Sequence, residues 1–309
     1  MNLAHLHLLL NHFPTIGTMV AIGLFVASLI AKNDDLKRTS LGIFFVIALI
    51  SLPTYVTGNA AQALIKGQAG VSAVLMAKHQ DAALLAFVFM EITGLVSWLV
   101  LWQYRRQLRM SQSNLAAVLV LSAVTFGLMA WASNIGGEIR HPEIRAAEEV
   151  TDGAPSSTAA TIGAFVLSHP WVWPTSETLH FIGLGLLFGI VLLVNLRMLG
   201  MMKSVSFAVL HGMLPLGIVG FGINAITGML FFIATPEQYT QNVAFYWKLI
   251  FMLLAGANVL YFTVVDEPWA LGPGDDAPLS TKFAAASAIF CWVGVMYCGR
   301  MLPFIGNSF

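Results

Sequence analysis

The chain has 309 residues, of which 58% are apolar and only 10% are charged. Soluble domains carry about 45–50% apolar and about 25% charged residues, so this composition excludes an ordinary water-soluble globule. The mean hydropathy of +0.79 points the same way. The formal net charge is zero. The chain therefore has no excess positive charge to attract a nucleic acid, and we expect no nucleic-acid partner.

Eight apolar runs follow one another along the chain, each about as long as the 20 residues of helix that span a bilayer core. They cover residues 13–31, 40–58, 81–104, 114–136, 173–199, 205–234, 244–265 and 281–302. The sequence therefore predicts an all-α, polytopic transmembrane bundle of about eight helices in contact with lipid. The first charged residue, Lys32, follows the first run, so we expect that run to be a retained span rather than a signal peptide.

The longest connection between the apolar runs, residues 137–172, divides the chain into two halves of four helices each. It is rich in acidic residues and contains the sequence GAPSSTAA, which is typical of a flexible segment. The sequence predicts an N-terminal four-helix membrane module over residues 1–145, a connection over residues 146–172, and a C-terminal four-helix membrane module over residues 173–309.

Lysine and arginine are more frequent in the odd-numbered connections than in the even-numbered connections and tails. The positive-inside rule therefore places the odd-numbered connections inside and both termini outside. In a bacterial inner (plasma) membrane, the outside is the periplasm. We expect a multi-pass protein of that membrane, with periplasmic termini and with the connection over residues 146–172 also in the periplasm.

Most of the eight histidines collect at the predicted outer side. His12 precedes the first run and His79 precedes the third. Because both runs begin outside, the two imidazoles are expected at the same depth, which is typical of bis-histidine haem b in a four-helix bundle. No CxxCH motif is present, which excludes covalent c-type haem. We predict His12 and His79 as ligands of the haem iron, with His141 at the outer rim as a competing partner. A bare metal ion, or a merely interfacial role for the histidines, stays open.

Two further histidines lie within the C-terminal runs. His180 lies about two turns from the outer end of the fifth run, and His211 enters the sixth run from the inside. At a rise of about 1.5 Å per residue, the two are roughly 15–20 Å apart in depth. We expect them to serve as cofactor-binding residues of separate centres, with a quinone role also open for His180, or one of them to be a packing residue.

Two charged residues occur inside the apolar runs. Lys248 is a candidate for binding a haem propionate, for pairing with Glu177 or Glu237, or for extending its ammonium outward. Glu91, near the middle of the third run, is a candidate for carrying protons to or from a quinone, because ionisable groups at that depth are costly. The alternative for Glu91 is a protonated side chain that is hydrogen-bonded between helices.

The N-terminal half resembles an uncharacterised bacterial membrane family, catalogued as domain of unknown function 2231. The segments that carry the resemblance are HLLLNHFPTIGTMVAIGLF, LPTYVTGNAA, KHQDAALLAF and SNIGGEIRH, and the resemblance covers roughly residues 1–145. The family's marked positions match His12, Phe13, Pro14, Thr57, Gly58, His79, Gly136, Gly137 and His141. The sequence departs from the family's HP and HG pairs, since Leu6 follows His5 and Pro142 follows the last histidine. The family is similar to two-haem membrane cytochromes and is sometimes joined to cytochrome c-type domains, which implies electron transfer.

The C-terminal half, with WPTSETLHFIGLGLLFG, NLRMLG, ITGMLFF and AFYWKLIFMLLAGANVLYF, resembles a second uncharacterised bacterial four-helix membrane family. The residues on its pattern are His180, Arg197, Gly228 and Lys248. Neither resemblance is diagnostic of a reaction, because a fold supports many functions.

Taken together, these patterns favour a cytochrome b-like membrane subunit that passes electrons between the quinone pool and a periplasmic partner, such as a c-type cytochrome or a dehydrogenase. Haem b is the expected cofactor, and other membrane subunits are further candidate partners. The protein would then be a redox subunit of a membrane oxidoreductase complex. Two alternatives are a transporter or metal-handling protein that uses the outer histidines, and a cofactor-free structural or assembly subunit.

Overall fold

The computed structural model describes residues 2–68, 70–105, 110–145, 157–205, 207–265 and 271–305. Within these ranges all regular secondary structure is helical, and eight helical segments are long and apolar enough to cross a membrane. This confirms the predicted all-α, polytopic bundle, and the protein is a multi-pass membrane protein in a lipid bilayer. Residues 106–109 and 146–156, which entered the predictions of orientation and of a flexible connection, lie outside the described residues.

The chain divides into two compact units, Met1–Thr161 and Ile162–Phe309, called unit 1 and unit 2 below. The helices of unit 1 are α1 (Leu3–Leu10), α2 (His12–Ile30), α3 (Asp34–Ile65), α4 (Ala73–Arg105) and α5 (Gln112–Arg140). Helix α6 (Thr158–Ser168) crosses the boundary between the units. The helices of unit 2 are α7 (Val172–Met198), α8 (Phe207–Ala234), α9 (Pro236–Thr240), α10 (Val243–Val264) and α11 (Leu279–Met301). Short 3-10 segments cover Pro142–Ile144 and Leu302–Phe304.

Several helices extend beyond the apolar runs, because polar residues continue or cap them. The first run lengthens to Leu3–Ile30, with α1 and α2 forming one span. Helix α3 begins at Asp34, where the Asn33 side chain accepts a hydrogen bond from the Leu36 N–H at 2.9 Å. Acidic residues in that first turn also suit the positive end of the helix dipole. The predicted connection over residues 146–172 contains helix α6.

Unit 1 is a closed ring of four helices. Helix α2 packs against α3 and α5, and α4 packs against α3 and α5, while α1 lies on α3. The buried rings of Phe25 and Phe44 meet edge to face, with centroids 6.4 Å apart. Thr93 and Thr125 join α4 to α5 through hydroxyls 2.8 Å apart. This ring positions α1, α4 and α5, which carry the histidines described below.

Unit 2 is organised around α7, which packs against α8 and α11, while α10 packs against α11. Helices α7 and α8 approach closely where Gly183 faces Gly220. A Cβ atom at position 220 would lie 2.6 Å from the Gly183 carbonyl oxygen. Small residues at helix contacts allow such an approach in membranes, so this pair of glycines determines which faces of α7 and α8 meet.

Gly220→Ala is expected to destabilise the protein by about 1–3 kcal/mol, because the new methyl group has no room against α7. Gly222→Ala is the matched control, since a Cβ atom there meets nothing within 4 Å. We expect the control to leave stability within about 0.5 kcal/mol of the wild type or to raise it slightly. Thermal unfolding of the purified variants in one detergent measures both, and equal midpoints for the two variants would refute the close contact.

The buried guanidinium of Arg197, near the end of α7, donates hydrogen bonds to three backbone carbonyls outside that helix. Its Nε donates to the Val205 carbonyl at 3.0 Å, Nη1 to the Asp275 carbonyl at 3.2 Å, and Nη2 to the Gly272 carbonyl at 2.9 Å. The side chain is 0% exposed. Arg197 therefore fastens the segment after α7 to the segment before α11.

Charged side chains around Asp276 also link the segment after α7 to the start of α11. Lys282 Nζ donates to Asp276 Oδ2 at 2.9 Å, and Lys203 Nζ lies 3.4 Å from Asp276 Oδ1. The hydrogen bond from Lys282 and the nearby charge of Lys203 hold the pKa of the Asp276 carboxyl below its usual range. Because these groups are partly or largely exposed, Arg197 is the stronger fastening.

Candidate functional site

Two partly buried histidines of unit 1, His7 on α1 and His79 on α4, are each held by a backbone carbonyl of a neighbouring helix. His7 Nδ1 is 3.1 Å from the Thr54 carbonyl oxygen, and His79 Nδ1 is 2.9 Å from the Ala132 carbonyl oxygen. A carbonyl oxygen only accepts hydrogen bonds, so each Nδ1 carries the proton and donates it. In a neutral imidazole, Nε2 then keeps a free lone pair, which is the form in which histidine binds a metal.

Each of the two imidazoles lies against a glycine four residues after the carbonyl that holds it. A Cβ atom at Gly58 would lie 3.0 Å from His7 Cε1, and one at Gly136 would lie 3.1 Å from His79 Cε1. A larger residue would therefore press on either ring. The two histidines share one construction, in which a helix carbonyl fixes the tautomer and a glycine makes room for the ring.

Buried apolar side chains of α4 and α5 form a cluster near His79 in sequence. Its members are Leu75, Met76, Ala82, Ala132, Ile135 and Ile139. The stacked rings of Tyr55 and Phe87, with centroids 4.8 Å apart, join α3 to α4. Apolar side chains and two imidazoles of fixed tautomer would suit a flat, largely apolar macrocycle.

The number of ligands also fits haem. Among the residues that the structure describes, no three or more His, Cys, Asp and Glu side chains are grouped to hold a metal ion. Structural zinc requires four protein ligands, whereas haem supplies four nitrogens of its own and takes one or two axial ligands from the protein. His7 and His79 would hold such a group through their Nε2 atoms.

In the structure His7, rather than His12, is held in the same way as His79. His12 is the first residue of α2 and is exposed. His141 ends α5 and is also exposed, and its Nδ1 lies 2.9 Å from Glu143 Oε1. A hydrogen bond from its own backbone N–H, and a second from His141, hold the pKa of Glu143 below its usual range. His141 is thus hydrogen-bonded to Glu143 at the surface.

Glu91 lies against α3, where its Oε1 is 2.7 Å from Ser51 Oγ. Ser51 Oγ is also 2.7 Å from the Ala48 carbonyl oxygen. One hydroxyl proton serves one of these acceptors at a time, so a protonated Glu91 that donates to Ser51 Oγ satisfies all three groups. Along α4, Glu91 lies about 18 Å from His79 at 1.5 Å per residue, and the structure does not bring the two together.

In unit 2, Lys248 lies on α10, and a Cβ atom at Gly299 of α11 would lie 3.6 Å from its Nζ. His180 Nδ1 is 2.7 Å from Thr227 Oγ1 of α8. His211 also lies on α8, about 24 Å along that helix from Thr227. The side chain of His211 lies outside the described residues.

The sequence alone did not single out His7. It lies in the HLH segment before the first apolar run, where a histidine is expected at the membrane surface. The sequence features that relate to the role of His7 are two glycines, Gly58 and Gly136, which lie against the rings of His7 and His79. Both glycines belong to the segments that carry the resemblance described above, but their role requires the long-range packing of α1 on α3 and of α4 on α5.

Comparison with family models, with curated proteins and with solved structures finds no match to this chain. The resemblance of the N-terminal half to domain of unknown function 2231 stays a prediction. The arrangement of His7 and His79 is therefore the strongest indication of what the protein does.

Proposed function

We propose that the protein is a cytochrome b-like electron-transfer protein of the membrane, with haem b held between the Nε2 atoms of His7 and His79. The observation that carries the proposal is the shared construction of the two histidines. Each Nδ1 donates to a helix carbonyl, and each ring rests against a glycine. When bound, haem supplies a single iron that accepts or gives one electron.

The protein's own residues would orient and enclose the cofactor. The carbonyls of Thr54 and Ala132 keep the two imidazoles in the metal-binding tautomer, as outer-shell partners do for metal-bound histidine in general. The apolar cluster of α4 and α5 would limit the access of water on its side of the cofactor. Both effects influence the reduction potential of a bound haem.

The proposal includes a route for electrons between the quinone pool and a periplasmic partner, such as a c-type cytochrome or a dehydrogenase. It also includes a bacterial inner-membrane location with both termini in the periplasm. The support for the orientation is the excess of Lys and Arg in the odd-numbered connections. His7 lies in the last turn of α1, near the start of the first span, and His79 lies near the N-terminus of α4, so this orientation would put the haem toward the periplasmic side.

A visible spectrum of the purified protein tests the proposal. Reduction with dithionite is expected to give the sharp α-band of six-coordinate haem b, and extraction is expected to release haem without cleavage of a thioether bond. The absence of an α-band in protein purified from cells that have ample haem would overturn the proposal. Copper or zinc bound in stoichiometric amounts to such a haem-free preparation would favour the metal-handling alternative.

Gly136→Ala is expected to reduce haem retention by about tenfold, because the added methyl group displaces the His79 ring from its supporting carbonyl. Gly137→Ala is the matched control, since a Cβ atom there makes an ordinary 3.7 Å contact with Ile144 Cδ1. Haem released from equal amounts of the two variants, measured as the pyridine complex, gives the ratio. Equal haem content would show that Gly136 does not position His79.

A further inference from the structure

A groove with a volume of about 330 Å³ lies at the surface of unit 1, between the start of α4 and the end of α5. Its lining combines buried apolar side chains with charged, amide and indole groups. The lining residues are Leu75, Lys78, Trp131, Asn134, Ile135 and Glu138. Binding sites for small ligands begin at about 300 Å³, so the groove has room for a group of the size of a lipid headgroup.

The two charges of the groove lie on opposite walls, since Lys78 belongs to α4 and Glu138 to α5. Both residues are within two turns of a helix end, and Trp131 lies about 10 Å deeper along α5 than Glu138, at 1.5 Å per residue. The Trp131 side chain is 50% exposed. Tryptophan is enriched at the level of the lipid headgroups, so the groove is expected at the interface between the membrane and water.

The wall that carries Glu138 is held in place by hydrogen bonds. Asn134 Nδ2 donates to Glu138 Oε1 at 2.6 Å. Arg145 Nε donates to the Glu138 carbonyl at 2.7 Å, and Arg145 Nη2 donates to the Gly70 carbonyl at 3.0 Å. The end of α5 is therefore fastened to the connection before α4. A carboxylate has about four lone pairs for hydrogen bonds, so Glu138 can accept from a ligand as well as from Asn134.

We propose that this groove binds the headgroup of a phospholipid that carries a phosphate and a primary ammonium, as phosphatidylethanolamine does. The Lys78 ammonium has three N–H donors, and it donates to the phosphate. Glu138 accepts from the lipid ammonium, and the Trp131 indole lies beside the glycerol and the first part of the acyl chains. An anionic headgroup fits less well, because Glu138 would face a negative group. The inference goes beyond electron transfer and requires no haem.

Lipid binding to the purified, delipidated full-length protein tests the inference. Native mass spectrometry with dioleoyl phosphatidylethanolamine, phosphatidylglycerol or phosphatidylcholine gives an apparent Kd for each lipid. We expect phosphatidylethanolamine to bind about fivefold more tightly than phosphatidylglycerol, because only the first offers a cation to Glu138. Phosphatidylcholine keeps the positive charge but has no N–H donor, so it should bind about threefold more weakly than phosphatidylethanolamine.

Two variants separate the charges. Glu138→Gln keeps an oxygen that accepts from Asn134 but removes the negative charge, so the preference for phosphatidylethanolamine over phosphatidylglycerol should fall to about twofold or less. Lys78→Gln is expected to weaken the binding of both lipids by about fivefold. The matched controls are Glu143→Gln and Lys66→Gln, because both residues are exposed at the same end of unit 1 and do not line the groove. Each control should bind both lipids as the wild type does.

Equal binding of phosphatidylethanolamine and phosphatidylglycerol by the wild type would overturn the inference, and so would an unchanged preference in Glu138→Gln. Soluble phosphoethanolamine and inorganic phosphate, which lack acyl chains, should bind at least about tenfold more weakly than the lipid. Equally tight binding of either one would show that the ligand is a soluble phosphate compound rather than a lipid. The expected preference in a haem-free preparation would support the inference even if the electron-transfer proposal fails.

Discussion

Replacing His79 by alanine is expected to lower the haem content of the purified protein to below about a tenth of the wild-type value, and His7→Ala is expected to do the same. Loss of an outer-shell partner typically costs about 10–100-fold in metal affinity, and loss of an axial ligand removes the bond itself. The reduced-minus-oxidised spectrum and the extracted haem both measure the effect at equal protein concentration.

His12→Ala is the matched control, because His12 is exposed at the start of α2. Its haem content should equal that of the wild type. The opposite result, with loss of haem in His12→Ala and retention in His7→Ala, would support the pair that the sequence predicted and refute the pair that we propose. Retention of haem in both would remove His7 and His12 from the site.

Arg197→Met is expected to destabilise the protein by about 3 kcal/mol or more, since three carbonyl groups lose a charged donor inside unit 2. For a unit of this size, the thermal unfolding midpoint should fall by roughly 10 °C. Met has a similar length, so the change removes the hydrogen bonds with a limited loss of packing.

Arg300→Met tests whether any arginine of unit 2 has this effect. Arg300 is exposed and lies over the Phe304 ring, 5.5 Å from its centroid, and its loss should cost less than about 1 kcal/mol. Arg197→Lys keeps the charge but loses the planar fork, so we expect an intermediate midpoint. A midpoint of Arg197→Met within about 1 °C of the wild type would contradict the proposed fastening.

The eight spans were predictable from the sequence, because the bilayer imposes the length and composition of each span. Their ends were not, since polar residues such as Asn33 cap helices that extend past the apolar core. The prediction of a loop over residues 146–172 likewise missed α6, which is too short to be recognised as a span.

The candidate sites were partly predictable. The sequence marks His79 as a candidate because it precedes a span, and it marks His180 and Lys248 because ionisable groups are rare in apolar runs. No sequence signal separates His7 from the other histidines at the start of the chain. The bond from His7 to the Thr54 carbonyl depends on how α1 packs on α3, which no local pattern encodes.

Helix α1 (Leu3–Leu10) has only eight residues, none of them buried. Helix α1 packs on α3, and the bond from His7 Nδ1 to the Thr54 carbonyl holds it there. In the proposed holoprotein, His7 would join α1 to α4 through the iron. Cofactor occupancy and local folding would then be linked, and amide hydrogen exchange in α1 would slow as haem is bound. The local stability of the N-terminal helix would thus depend on whether the protein has bound its cofactor.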